Sequence, residues 1–174
     1  MKQNYDHAFE LVIQSEGGYV NDPHDHGGET NLGVTKAAWA DYLGRAIQYG
    51  EMKALTKDTV KPFYKKMYWD KLHGDELPAG LDYAAFDFGV NAGTGQAAKF
   101  IQRAVGVTAD GAIGPGTMGA VAKADPVALL ASFTKQKEDF YHGIVERKPD
   151  QAKFLGGWLS RTAKVQTTAS SMLA

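Results

Sequence analysis

Apolar residues in the opening stretch fall at Tyr5, Ala8, Phe9, Val12 and Ile13, the spacing of a single helical face. The pattern predicts a helix over 5–16, with Asn4 or Asp6 as caps and Gly17-Gly18 as its stop. From Gly17 to Gly33 the periodicity lapses into a polar, glycine-rich segment, and one small hairpin fits within 17–34. Thr35 then caps a short helix through Trp39 to Leu43. Thr56 or Thr59 opens another, with Val60, Phe63, Tyr64, Met67 and Tyr68 on one stripe; its Pro62 is tolerable only near a first turn. Segment 79–91 is apolar almost all round, which marks a buried central helix. A further helix runs from Thr94 to about Val105. A loop over 107–117 carries the turn signals Asp110-Gly111 and Gly114-Pro115-Gly116, with Thr117 capping the helix that follows. Asp125-Pro126 supplies a cap and a first-turn proline for a long helix to about Val145. Beyond Lys148-Pro149 a last helix holds Trp158, Leu159 and Val165. The pattern predicts a mainly helical protein without an internal linker.

With 174 residues, 44% hydrophobic and 22% charged, the chain has the composition of one generous globular domain or two very small ones. Its longest apolar run, around Val127 to Phe133, is far short of the roughly 20 residues a membrane span needs. Asp6, His7 and Glu10 interrupt the N-terminus where a secretory signal requires an apolar stretch. Neither a signal peptide nor stable membrane insertion is expected. The absence of cysteine excludes disulfides, thiolate nucleophiles and cysteine-ligated zinc. A net charge of −1 argues against a nucleic-acid partner. The charge is uneven: residues 1–87 hold 9 basic against 14 acidic side chains, and residues 88–174 hold 10 against 6. That is either an ordinary solvated surface or an acidic catalytic half joined to a basic half that leans on an anionic polymer or membrane.

At about 100° per residue, Glu16 falls roughly 20° from Tyr5, inside the apolar stripe. Partial desolvation there raises a carboxyl pKa, as a general acid near neutral pH requires. The other reading ends the helix early and leaves Glu16 in solvent. The polar run that follows can set a second carboxylate and a hydroxyl across a cleft. Splitting a glycosidic bond needs such a pair: an acid for the leaving oxygen, and a group that activates water or steadies the developing cation. Glu16 suits the first role, and Asp25, with Thr30 helping to hold the water, suits the second. Asp22 is the rival second carboxylate, although Asp22-Pro23 also reads as a turn initiator. His24, Asp25 and His26 are too few to close a zinc shell and read as exposed loop residues. No metal and no cofactor are expected. Asp87 and Asn91 share a helical face, either in a structural network or with Asn91 reaching a sugar acetamido group. Tyr64, Tyr68 and Trp69 divide between core and cleft, Trp69 being the candidate sugar platform.

The run EGGYVNDPHDHGGETNLGVT resembles the N-terminal signature of the glycoside hydrolase family 108 muramidases, lysozyme-like endolysins of bacteriophages. The segment YKKMYWDKLHGDELPAGLDYAAFDFGVNAG is similar to that family's next stretch, and GVTADGAIGPGT and FLGGWLSRTAKV are similar to the peptidoglycan-binding region (family 3) that follows. The resemblance implies a mainly α, lysozyme-like α+β fold with the hairpin region (about 17–34) beside the active-site cleft. It implies one domain over 1–174, with a catalytic lobe 1–80 and a helical peptidoglycan-binding-like lobe 81–174. Glu16 is then the essential acid, with Asp25 and Thr30 as its catalytic companions. Tyr19, Asp22, Trp69 and Asn91 are the expected substrate contacts. Asp25 follows Glu16 after the family's eight residues, whereas Thr30 follows Asp25 after four where about five is usual. The loop Ala109–Thr117, like those of peptidoglycan-binding modules, either binds wall glycan or packs internally.

The activity so implied is hydrolysis of the β-1,4 bond between N-acetylmuramic acid and N-acetylglucosamine, leading to host-cell lysis. A lytic transglycosylase on the same bond, or a non-catalytic wall-binding protein, are the alternatives. The expected partner is the peptidoglycan glycan strand. The protein would act as a monomer, held in the host cytoplasm until released to the wall.

Overall fold

A computed structural model of the chain describes residues 4–21 and 28–173. Its elements in order are α1 (Asn4–Ile13), β1 (Thr30–Asn31), β2 (Val34–Thr35), α2 (Lys36–Leu43), α3 (Lys57–Tyr64), α4 (Leu81–Ala92), α5 (Thr94–Ala104), α6 (Pro115–Val121), α7 (Pro126–Arg147) and α8 (Ala152–Ser171). The architecture is mainly helical with one small antiparallel sheet among the described residues, as a lysozyme-like fold requires. The chain divides into two compact units, one of Tyr5–Met67 and one formed by the rest of the described residues.

In the Tyr5–Met67 unit, α1 buries the face its spacing predicts: Tyr5, Ala8, Phe9, Val12 and Ile13. Phe9 meets the ring of Tyr64 edge-on at 5.7 Å, and Phe63 continues the aromatic core to Trp39 at 5.7 Å. Both candidate caps of α3 are used in one reciprocal box. Thr56 accepts from the Thr59 N–H at 3.3 Å, and the Thr59 hydroxyl accepts from the Thr56 N–H at 2.8 Å. Pro62 lies deeper in α3 than its missing N–H was expected to allow. The helix then widens into a π-helical turn over Lys65–Trp69, a familiar response to a disturbed hydrogen-bond ladder.

The other unit is organised by α4, whose residues 81–89 are all buried. Phe88 stacks on Phe100 at 5.0 Å, and Phe133 and Phe140 meet that pair edge-on. Asp125 caps α7 through the N–H groups of Val127 and Ala128, with Pro126 at the first helical position. Asp87 carries the expected polar network inside this apolar packing. It accepts from Lys137 Nζ at 2.8 Å and from Arg161 at 2.7 and 3.1 Å, tying α4, α7 and α8 together. No helix among the described residues is long and apolar enough to cross a membrane.

Candidate active site

Regular helix in α1 ends at Ile13, three residues before Glu16. The chain tightens there: the Ser15 N–H donates to Val12 and the Glu16 N–H to Ile13, satisfying carbonyls that would otherwise be orphaned. Glu16 therefore does not continue the stripe at the regular helical angle, yet it remains half-buried.

What stands against Glu16 is the tip of the hairpin. Thr30 pairs with Thr35 and Asn31 with Val34, so Leu32 and Gly33 form a two-residue turn with φ +49° and +74°. Positive φ at both central residues is the geometry that matches the twist of a tight hairpin. Leucine rarely adopts it, and the fold holds it in place. The buried Tyr64 hydroxyl donates to the Leu32 carbonyl at 2.8 Å, and Asn31 Nδ2 donates to the Met52 carbonyl at 2.9 Å. Gly33 then presents a bare α-carbon to the carboxyl. A Cβ there would lie 2.4 Å from Tyr64 Oη and 2.6 Å from Glu16 Oε2, which places these two oxygens no more than about 5 Å apart. The Glu16 carboxyl thus occupies the space a side chain at position 33 would fill.

The other edge of the hairpin holds a second polar group. Val20 exchanges two backbone hydrogen bonds with Thr30, at 2.8 and 2.9 Å, and so holds the residues just after Glu16 against β1. One residue before Thr30, Glu29 accepts from Tyr19 Oη at 2.8 Å and from Lys36 Nζ at 2.6 Å. The lysine and then the tyrosine hold the Glu29 carboxyl below its usual range, while the bond to Glu29 pushes the Tyr19 phenol up. At neutral pH Glu29 is a fixed anionic acceptor that orients the 37% exposed Tyr19 ring.

Of the residues expected from sequence, Glu16, Tyr19 and Thr30 lie in this one unit, with Thr30 half-buried in β1. Asp22 and Asp25, with His24 and His26, lie outside the described residues. Trp69 is a correction. It is 0% exposed, its indole N–H donates to Asp75 at 3.0 Å, and its ring meets Phe86 edge-on. Gly74 covers the indole so closely that a Cβ there would fall 2.4 Å from ring atoms, leaving no face for a sugar. Asn91, in the other unit, is exposed and donates to the Asp87 carbonyl at 3.0 Å. Among the described residues, no three His, Cys, Asp or Glu side chains cluster as metal ligands. Gly33 and Glu29 were not anticipated as site residues, and Tyr64 was weighed only as an aromatic of core or cleft.

The Ala109–Thr117 segment turns its polar groups inward. Gln102, 1% exposed, donates to Asp110 and to the Ala112 carbonyl and accepts from the Gly111 N–H. Thr117 does not cap α6, which begins at Pro115 with Gly114 before it; Thr117 is buried inside the helix.

Residues 9–93 match the family model described as Glycosyl hydrolase 108, and residues 96–163 match the one described as Predicted Peptidoglycan domain. Among solved structures, SagA of Brucella abortus is similar to this chain at 36% identity and a TM-score of 0.85, over 99% of this chain and 97% of that one. No curated protein matches the sequence.

Proposed function

This chain belongs to the glycosyl hydrolase 108 family, followed by a peptidoglycan domain, and from that premise we propose that it hydrolyses the β-1,4 bond between N-acetylmuramic acid and N-acetylglucosamine. The coarser activity, a lysozyme-like glycosidase directed at peptidoglycan, comes with the family. Bond, mechanism and setting are our reading.

The observation that supports it most is the seat of Glu16. A half-buried carboxyl lies against a glycine turn that a buried tyrosine hydroxyl pins in place. A general acid must sit within hydrogen-bond reach of the leaving oxygen without reorganising. The Gly33–Tyr64 seat supplies that rigidity, and Glu16 donates its proton to the glycosidic oxygen as the bond breaks. Asp25 takes the role of base toward the attacking water, and Thr30 helps hold that water. Tyr19, braced by Glu29, offers an exposed ring to a neighbouring sugar. In a bacteriophage setting, the enzyme waits in the host cytoplasm and lyses the cell once it reaches the wall.

Mass spectrometry of digested sacculi tests the reaction. Products ending in reducing N-acetylmuramic acid are expected. Reducing N-acetylglucosamine ends would move the cut to the other bond, and 1,6-anhydro ends would replace hydrolysis by transglycosylation.

A further inference from the structure

Gly157 is an exposed glycine inside α8, a 20-residue helix, and the fold gives no reason for it. A Cβ built there meets nothing within 4 Å, and its backbone does not occupy the left-handed region. Glycine at such a position weakens a helix without any local return. Helical spacing surrounds it with a particular set of side chains: Lys153 and Phe154 one turn before, Ser160 and Arg161 one turn after, and Lys164 a turn further on. Phe154 is 47% exposed, with its ring 5.9 Å from Trp158, which in turn stacks on Tyr141 at 5.2 Å. Lys153 Nζ lies 5.1 Å from the centre of the Phe154 ring. Arg161 is oriented by its bonds to Asp87 and keeps a side-chain exposure of 28%. The result is a saddle of bare helix backbone beside an aromatic face, with a cation at either end.

We propose that this strip of α8 binds a peptidoglycan glycan strand. The Phe154 ring takes the apolar face of an N-acetylated pyranose lying over Gly157, and Lys153 and Arg161 donate to the lactyl and acetamido carbonyl oxygens of the strand. The occupant follows from position and charge. All four residues lie within the 96–163 match to the Predicted Peptidoglycan domain, and the cations complement an acidic polymer. A membrane would need a continuous apolar face, whereas Phe154 is the one large exposed apolar side chain of α8 among the described residues. The proposal rests on peptidoglycan as the partner and is independent of the chemistry assigned to Glu16.

Co-sedimentation of the full-length Glu16→Gln protein with purified sacculi in the cold is the test. Gly157→Gln fills the saddle with a better helix former, so the fold should hold or gain stability. Both Gly157→Gln and Phe154→Ala, added to Glu16→Gln, should weaken binding about tenfold, the scale of one lost aromatic contact. Gly156→Gln, also exposed but turned about 100° around the helix, should bind like its parent. Glycan strands stripped of stem peptides should compete. A folded Gly157→Gln protein that binds within about twofold of its parent would overturn the proposal. Competition by free stem peptides but not by stripped glycan, or binding lost only toward anionic vesicles, would overturn it too. A Glu16→Gln protein that still digests sacculi would instead defeat the catalytic reading and leave this one standing.

Discussion

Replacing Gly33 by alanine should cost most of the activity while leaving a folded protein. Its φ of +74° puts an L-residue in the left-handed region, at about 1–2 kcal/mol. The new methyl would start 2.4 Å from Tyr64 Oη, 2.6 Å from Glu16 Oε2 and 3.0 Å from the carboxyl carbon. Carbon–oxygen contacts rest near about 3.3 Å, so the neighbours or the turn must yield by close to 1 Å. If Tyr64 yields, its bond to the Leu32 carbonyl goes, at about 0.5–1.5 kcal/mol. The destabilisation then totals about 1.5–3.5 kcal/mol. If the Glu16 carboxyl yields, a displacement near 1 Å costs about 10²-fold in rate. Turbidity loss of purified sacculi, alongside thermal melting, reads both effects. Gly44→Ala separates strain from collision: φ there is +68°, but nothing lies within 4 Å of a built Cβ. That variant should lose only the backbone term and keep its rate per folded molecule. Gly33→Ala protein digesting sacculi within about twofold of wild type would refute the idea that Gly33 makes room for the working carboxyl.

Asp87→Ala should destabilise by about 3–5 kcal/mol in denaturant titration, because it strands Lys137, whose side chain is 3% exposed. A loss below about 1 kcal/mol would mean that the lysine finds other solvation. Burial holds the Asp82 carboxyl above its usual 3.8, against opposing hydrogen bonds from Asn4 and the Tyr83 N–H. The folded state therefore binds this proton more tightly than the unfolded state, so the contribution is complete below pH 3.8 and lost as pH rises through the folded pKa. Asp82→Asn should flatten that part of the stability–pH curve, and an unchanged slope would exclude Asp82 as its source. Asp125→Ala removes the α7 cap and should lower stability by about 0.5–2 kcal/mol without altering activity per folded molecule. An activity loss with no loss of stability would place the start of α7 in the substrate path.

Helical periodicity made most of the architecture legible, because buried faces repeat locally. The stripe of α1, the unbroken burial of α4 and the Asp125-Pro126 start of α7 all follow from residues within a turn or two of each other. The seat of the carboxyl did not, since it joins residues far apart in sequence. Tyr64 reads as one more apolar position on α3, and nothing local says that its hydroxyl reaches the Leu32 carbonyl 32 residues away. The Leu32-Gly33 turn was equally obscure, because leucine at positive φ runs against its own preference and is imposed by the tertiary bonds around it. Trp69 misled for a related reason. An indole suits a sugar platform and a core equally well, and only the approach of Gly74 decides for the core. At the end of α1, the sequence spacing assumed a constant angle through Glu16, whereas the last carbonyls are met by a tighter turn.

The rate of the Glu16→Gln variant tests Glu16 as the catalytic acid most directly. Glutamine keeps the side chain's shape in its seat against Gly33 and removes only the transferable proton. Sacculus digestion by the purified full-length variant should fall by at least about 10²-fold, the lower end of what general acid catalysis supplies, while its melting temperature holds or rises. A folded Glu16→Gln protein that digests sacculi at close to the wild-type rate would contradict the assignment of Glu16 as the catalytic acid.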